Sequence, residues 1–589
     1  MARKIKSVTH GDRLVAGVAK LLSDTTNRYS DIQLRVGGKI FHCHKLVLAL
    51  KSSYFDEKLF PSSPGAAAAA EEEEDETEER DGQIASSWSD VGADDFHNVL
   101  EFMYTGETEL SKENVENILR AANLMKLTEL TQFSVEFLVE KLSVKTCPYY
   151  WNLAEQIDVP ALALACKRLC LKEFDKMGSN SELKDLSEAM MTELLEDDEL
   201  QAESEVDVCE TLMKWLHNSQ THSVQPYQLL TLVRWSAVPV EYVKTKLITD
   251  EILMRNRRCF EFLSKVISYR LTGVQFSGLN TFHRPSTGVE QCVVIVGLTT
   301  GLDISSDVLS VSLQRQDHVT NTHAIPAKME FELAACVSGK ELYVSGAGLD
   351  NRETWRWELM FGWAQCTEMN EGRRRHCATF VNTTSMYVLG GSADKLGMSA
   401  LDSVEQYNTV TNKWTKVGQL THAAHSAACV VYKMSIYVFG GSGQNDEDLD
   451  RVQVFDTATK LCTELTQRLP RPQYLLRAVM WDKSVILIGD DTCLIFDLEQ
   501  QTFQERDQFA AGGIYFGLVL ENQRIFIIGG VTVHTDAAGK QTCTCSDEVE
   551  SVAVMDIIYN QTTANWLHHA TLPKPAVVHA FASMTLMRT

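Results

Sequence analysis

Hydrophobic spacing changes character three times along the chain. Near the start, Leu14, Val15, Val18, Leu21 and Leu22 recur at helical spacing and predict an amphipathic helix. Ile32, Leu34 and Val36 then alternate with polar residues, and Gly37-Gly38 supplies a tight turn before KIFHCH, so this stretch reads as a β-hairpin. The run HKLVLALKSSYFDEKLF returns to helical spacing until Pro61 and the SSPG segment stop it. From about Gln132 to Arg270 the pattern is helical throughout, in segments such as FLVEKL, ALALACKRLCLKEF, VCETLMKWL and FEFLSKVISYRL. Pro148 and Pro160 fit helix starts or loops within that span.

Within the first region, after Pro61, lies AAAAAEEEEDETEER, Ala66 to Arg80, in which eight of the ten residues from Glu71 onward are acidic. It offers no apolar face to bury, and like charges at i,i+4 oppose a helix. A disordered insertion over about 61–88, inside a folded domain, is the expectation. An acidic lure for a basic partner is the functional alternative.

Beyond Gly273 the chain becomes a series of short β-rich runs, six of which end in glycine: Gly297 (VVIVG), Gly346 (LYVSG), Gly390 (MYVLGG), Gly440 (IYVFGG), Gly489 (VILIG) and Gly529 (IFIIGG). Their intervals of 49, 44, 50, 49 and 40 residues suit a four-stranded propeller blade. The third unit is the clearest. A small-residue strand, RRRHCATFV, would line the central channel, SMYVLGGS would follow, and Tyr407 and Trp414 would fill the space between blades. Six anchors predict six blades. The first unit lacks a strand before CVVIVGL, whereas the last has one to spare, HAFASMTLM; the C-terminal strand is therefore expected to complete blade one and close the ring.

Composition narrows the function. The 55 Lys+Arg against 79 Asp+Glu leave a formal net charge of −24, which argues against nucleic acid or an anionic membrane as partner. No apolar run has the length to span a bilayer, and MARKIKSVTH lacks the apolar core of a secretory signal. Fifteen scattered cysteines do not form a disulfide framework, and a reduced cytoplasmic setting, with the nucleus as a second location, is expected. Candidate chemistry is sparse. Cys166 and Cys170 at i,i+4 read as core thiols, His42 and His44 on one strand face lack a third ligand, and Cys543-x-Cys545 sits in what reads as a polar exposed loop. No nucleophile elbow, phosphate-binding loop or zinc-protease motif is present. The expectation is a non-enzyme with no metal and no cofactor.

The motifs resemble those of the kelch-like family. YSDIQLRVGGKIFHCHKLVLALKSSYF and FHNVLEFMYTGETEL are similar to a BTB domain, LLEDDELQAESEVDVCETLMKWL and LLTLVRW to a BACK domain, and the glycine-anchored repeats to kelch blades. The resemblance implies a multidomain fold: an α/β BTB domain over 1–131, an all-α BACK domain over 132–273 and an all-β six-bladed kelch propeller over 285–589. It also implies a homodimer formed through BTB, acting as substrate adaptor of a cullin-3 ubiquitin ligase. A cytoskeletal scaffold bound to actin is the alternative. One departure bears on the adaptor reading: relatives that bind cullin-3 follow the SSYF-type helix with an apolar-x-Glu segment, and here Leu59-Phe60 runs into Pro61 and the insertion. Tyr54, Phe55, Leu59 and Phe60 remain as candidate cullin contacts, with core packing the competing role for Tyr54 and Phe55.

For the substrate, the resemblance points to the loops entering the innermost strands. Arg373, Arg374 and Arg375 precede HCATFV and would concentrate positive potential at the channel mouth, suited to an acidic or phosphorylated protein segment. His422, His425, Arg471 and Tyr515 occupy similar loop positions in other blades and would extend the rim. An ion pair between one arginine and an acid of a neighbouring blade is the competing role.

Overall fold

The computed structural model describes residues 10–23, 26, 28–60, 83–85, 91–178, 181–218, 225–300, 303–327, 332–358, 361–535, 541–559 and 565–587. These residues divide into two compact units, 1–197 with 211–222 and 198–210 with 223–589.

In the first unit, strands Ile32–Val36 and Lys39–Cys43 pair antiparallel across Gly37 and Gly38, both with positive φ. This is the backbone that a two-residue hairpin turn demands. The alternation has its expected result, for Ile32, Leu34 and Val36 are all buried. Strand Gln83–Ala85 adds to Ile32–Val36 in parallel, with Leu34 opposite Ile84. That strand corrects the expectation of disorder over 61–88 at those three positions; the rest of the span lies outside the described residues. Helices Ala93–Thr105, Val115–Leu124 and Thr128–Lys141 cover the sheet, and Phe96, Leu100, Met103, Ile118 and Leu130 join Phe55 in one apolar core. The N-terminal helix His10–Leu22 lays Val18, Leu21 and Leu22 against that core.

Helices Cys147–Gln156, Pro160–Lys172 and Glu188–Glu196 continue this unit. Cys166 and Cys170 are buried, and Cys147, which has no telling spacing in sequence, joins them with its thiol donating to the Cys166 carbonyl at 3.2 Å. Among the described residues no three His, Cys, Asp or Glu side chains are grouped to hold a metal ion.

The second unit contains six antiparallel sheets, the blades of one propeller: five have four strands, and blade one has a row of four with the short strand Asp303–Ile304 beside it. Blades two to five run inner to outer in chain order from innermost strands Ala334–Ser338, Cys377–Asn382, Ala428–Tyr432 and Arg477–Trp481. In blade six, which begins at Gly517–Glu521, a hairpin of Val531–Thr535 with Gln541–Cys545 is inserted between the second and third strands. Cys543 and Cys545 therefore lie on a strand, which corrects the loop expected there. Blade one is closed by the C-terminus: Val577–Met587 pairs with Val289–Thr300 from Val577 opposite Thr299 to Met587 opposite Val289, and it is the innermost strand of that sheet. Ring closure leaves no unpaired inner edge.

Four of the glycine anchors, Gly346, Gly390, Gly440 and Gly529, sit where neighbouring blades meet. Gly390 has φ +60°, and a Cβ there would come within 2.2 Å of the Ala424 carbonyl oxygen of the next blade. Tyr407 and Trp414 pack 5.1 Å apart, and the Trp414 indole N–H donates to the Thr367 carbonyl, so both hold blade to blade.

Candidate functional site

One residue recurs in the same backbone position at the entrance to five innermost strands. Glu332, Arg375, Ser426, Leu475 and Tyr515 have φ between +54° and +71°, a left-handed conformation that non-glycine side chains adopt only under constraint. The constraint is a relay of hydrogen bonds from blade to blade. Arg375 N–H donates to the Glu332 carbonyl (3.0 Å), Ser426 N–H to that of Arg375 (2.8 Å) and Leu475 N–H to that of Ser426 (2.9 Å), while Val578 N–H closes on the carbonyl of Tyr515 (3.0 Å). The five residues line a small cup open to solvent, bordered also by His376, Arg477 and His579.

Charge in the cup is organised around Glu332. Its carboxylate accepts from Arg375 Nε at 2.5 Å and from the Tyr515 hydroxyl at 3.3 Å. Burial, reinforced by the charge of Glu332, pushes the Tyr515 phenol up to about 12. His376 and His579 are held neutral mainly by burial, with pKa values lowered to about 3 and about 4; the positive charges of Arg373 and Arg477 respectively add to the effect. The imidazole Nε2 of His376 lies 2.8 Å from Ser345 Oγ.

The arginine triplet does not face the mouth as a unit. Arg373 is 0% exposed, so its expected role at the rim is corrected. Its guanidinium donates to the carbonyls of Gly390 (2.8 Å) and Ser403 (3.0 Å), to Ser403 Oγ (2.9 Å) and to the equally buried Glu405 (2.7 Å). Arg374, 3% exposed, is corrected likewise: it lies within the ring wall, its guanidinium donating to Asn351 Oδ1. The reason is the backbone alternation around the positive φ of Arg375, which turns only that side chain to the cup. Of the other expected rim residues Tyr515 lines the cup. His425 is corrected to a buried position, its ring nitrogens bound to the Gly397 carbonyl and Ser426 Oγ. His422 pairs with Glu464 at 3.0 Å and Arg471 with Asp491 at 3.2 Å, and neither lines the cup. Glu332, Ser426, Leu475, His376, Arg477 and His579 were not expected; counting fourteen residues back from the anchor glycines of units two to six, rather than reading loop chemistry, singles out Glu332, His376, Ser426, Leu475 and Tyr515.

Comparison with known proteins accounts for the whole order of parts. The BTB/POZ domain family matches residues 22–142, the BTB And C-terminal Kelch family 147–247, and the KLHDC2/KLHL20/DRC7 Kelch-repeats domain 351–530. Human Kelch-like protein 25 is 23% identical over 575 residues, covering 94% of this chain and 91% of its own. Mouse Kelch-like protein 35 is 24% identical over 539 residues (88% and 90%), and rat Kelch-like protein 24 is 25% identical over 539 residues (89% and 84%). The chain belongs to the kelch-like family.

In this kelch-like protein the second set of candidates, on the BTB part, divides by burial. Phe55 is a core residue, and Tyr54 and Leu59 pack half-buried against the same core, so these three offer little surface to a partner. Ser52 fixes their helix, accepting from Phe55 N–H at 3.1 Å and donating to the Met125 carbonyl at 2.6 Å. Phe60 is 50% exposed. Leu46 and Leu50, one turn apart on helix Lys45–Lys51, are more exposed still, at 63% and 76%. Sequence spacing alone leaves these two indistinguishable from core leucines.

Proposed function

We propose that this kelch-like protein is a non-catalytic adaptor of a cullin-3 ubiquitin ligase. Its BTB part forms the homodimer and grips the cullin, and its propeller presents a protein substrate bearing an acidic or phosphorylated segment. The observation that carries the reading is the pairing, in one chain, of a BTB part with exposed Leu46, Leu50 and Phe60 and a closed ring whose mouth gathers side chains from six blades. Such solvent-facing leucines and phenylalanine suit a protein interface. The cup joins charged, aromatic and hydroxyl groups, which suits recognition of a polar peptide. All fifteen cysteines are free thiols, consistent with the cytoplasm or nucleus as its location.

The test is titration of the purified full-length chain with the N-terminal region of cullin-3, run beside sedimentation with actin filaments. Saturable micromolar binding to cullin-3 is expected, weaker than nanomolar because the apolar-x-Glu segment is absent. Leu50→Asp should weaken it without altering the fold. Absence of cullin-3 binding together with co-sedimentation on actin would replace this reading with that of a scaffold.

A further inference from the structure

Blade one lacks a large side chain that every other blade turns toward its neighbour. The residue three before each anchor glycine packs toward the following blade, and it is Tyr343, Tyr387, Tyr437, Ile486 and Phe526 in blades two to six but Val294 in blade one. The positions beside Val294 across its sheet are also small: Ala582, Ser310 and Thr320. In the two interfaces that follow, the tyrosine meets a ring of the next blade, Tyr343 with Tyr407 at 6.1 Å and Tyr387 with Phe455 at 6.2 Å between centres. The counterpart of Tyr407 and Phe455 in blade two is Trp357, since each stands opposite the residue four before its glycine. Trp357 therefore faces a row of small side chains where its counterparts face a ring.

The shortfall leaves a cavity of about 220 Å³ between blades one and two, lined by Cys292, Ser310, Ser312, Thr320, Leu586 and Trp357 and bordered by the exposed His323 and Met587. Its wall holds an unpaired donor. Trp357 is 1% exposed, and its indole N–H has no hydrogen-bond partner among the described residues. By contrast, Trp355, Trp363 and Trp414 donate to the Glu353 carboxylate and to the carbonyls of His323 and Thr367. The charge on the wall is already matched, for Glu290 accepts from the Ser312 hydroxyl at 2.7 Å and from Arg315 Nε at 2.8 Å. Burial pushes the Cys292 thiol up to about 11, so it stays protonated near pH 7 and offers no nucleophile. A buried N–H left unpaired is costly, and an acceptor brought into the cavity removes that cost.

We propose that this cavity is a binding site for a small neutral aromatic molecule carrying one acceptor oxygen. The Trp357 N–H would donate to that oxygen, while Trp357, Leu586 and Cys292 would pack against the apolar body. A cavity of about 150 Å³ walled by apolar side chains holds benzene, so the larger volume here has room for two fused rings. The ligand would supply the ring that Val294 does not and so join blade one to blade two. The site shares no residue with the cup and requires neither cullin nor dimer.

The experiment is calorimetric titration of the full-length chain with three probes: 1-indanone, indane as the same shape without the oxygen, and benzoate as a charged ring. The ketone is expected to bind about fivefold or more tightly than indane and to raise the melting temperature of the propeller, with benzoate not binding. Trp357→Phe should make the ketone and indane equal, and it introduces the residue type that blades four and five already carry there, at Phe455 and Phe496. Val294→Tyr should abolish binding of both. In blade two the Tyr343 hydroxyl reaches Glu341, the counterpart of Cys292, so the new ring would lie over the cavity wall. Absence of binding by all three probes would leave the cavity to water and overturn the proposal. Equal affinity for 1-indanone and indane in the unmodified chain, preference for benzoate, or undiminished binding in Val294→Tyr overturns it as well. The comparison of 1-indanone with indane uses the unmodified chain and stands even where a variant fails to fold.

Discussion

Replacing Arg373 by methionine separates structure from docking in the arginine triplet. Arg373 and Glu405 are both fully buried and 2.7 Å apart. Removing one partner of a buried ion pair costs on the order of 3–5 kcal/mol, because the other is left uncompensated. Glu405 is cushioned, since it still accepts from Asn370 N–H (2.9 Å), the Asn370 side-chain amide (2.7 Å) and Glu371 N–H (3.1 Å), which favours the lower end. Against this, the carbonyls of Gly390 and Ser403 lose their guanidinium donor at a cost of roughly 1 kcal/mol or more. A net loss of about 4 kcal/mol follows. At about 2 °C per kcal/mol for a large domain, the propeller transition in calorimetry of the full chain falls by about 8 °C. Arg373→Met with Glu405→Gln removes the stranded charge and should recover about half of that. Arg375→Ala, whose partner Glu332 lies at the open mouth, should move the transition by less than about 2 °C. An Arg373→Met protein that melts within about 2 °C of the parent would refute the assignment of Arg373 to the ring wall.

Two further outcomes test the ring. Deleting residues 575–589 strips blade one of the strand that buries Val578, Ala580, Met584 and Leu586 and exposes the edge of Val289–Thr300; calorimetry should lose the cooperative propeller transition and light scattering should report aggregation, and an unchanged transition would count against closure by the C-terminus. Acid should weaken the ring through His376 and His579: both pKa values lie far below the unfolded value near 6.5, so the unfolded chain takes up protons first, and the stabilisation present above that pH is lost as pH falls toward 4 and 3. Between pH 7.5 and 5.5 each contributes a loss of about 1.3 kcal/mol, roughly 2.5 kcal/mol together, read as urea midpoints. The double change to glutamine should remove that part of the pH dependence, while Glu521, whose carboxyl burial pushes up, acts in the opposite sense in both proteins; an identical pH profile for the two would refute the role of the imidazoles.

Periodicity carried the architecture because its signals are local and repeated. A Cβ at Gly346, Gly390, Gly440 or Gly529 would meet the next blade, as the 2.2 Å approach at Gly390 demonstrates, so the spacing of these glycines marks the ring in the sequence itself. The spare strand HAFASMTLM announces closure for the same reason: six units that each need an inner strand leave one too few at the start and one too many at the end. Gln83–Ala85 escaped because three residues beside a low-complexity run hold too short an alternation to be seen. Cys147 escaped because packing against Cys166 depends on how two helices cross, about which a spacing of nineteen residues says nothing.

The candidate site was harder to read because a loop composition does not specify direction. Three consecutive arginines look equivalent, but a strand entrance sends neighbouring side chains to different sides, and the left-handed turn at Arg375 leaves one outside and two in the wall. The two inside lock the ring: Arg373 ties the Gly390 turn to the Ser403–Asn408 strand, and Arg374 reaches Asn351 of blade two. That division has a functional consequence. Rigidity comes from arginines below the surface and from the backbone relay, so the frame does not depend on which side chains stand at Glu332, Arg375, Ser426, Leu475 and Tyr515, even though Glu332 bonds Arg375 and Tyr515 across blades. These side chains differ in charge, size and polarity across five blades while their backbone stays the same, and this is the arrangement a recognition surface needs: a fixed frame on which specificity is free to vary.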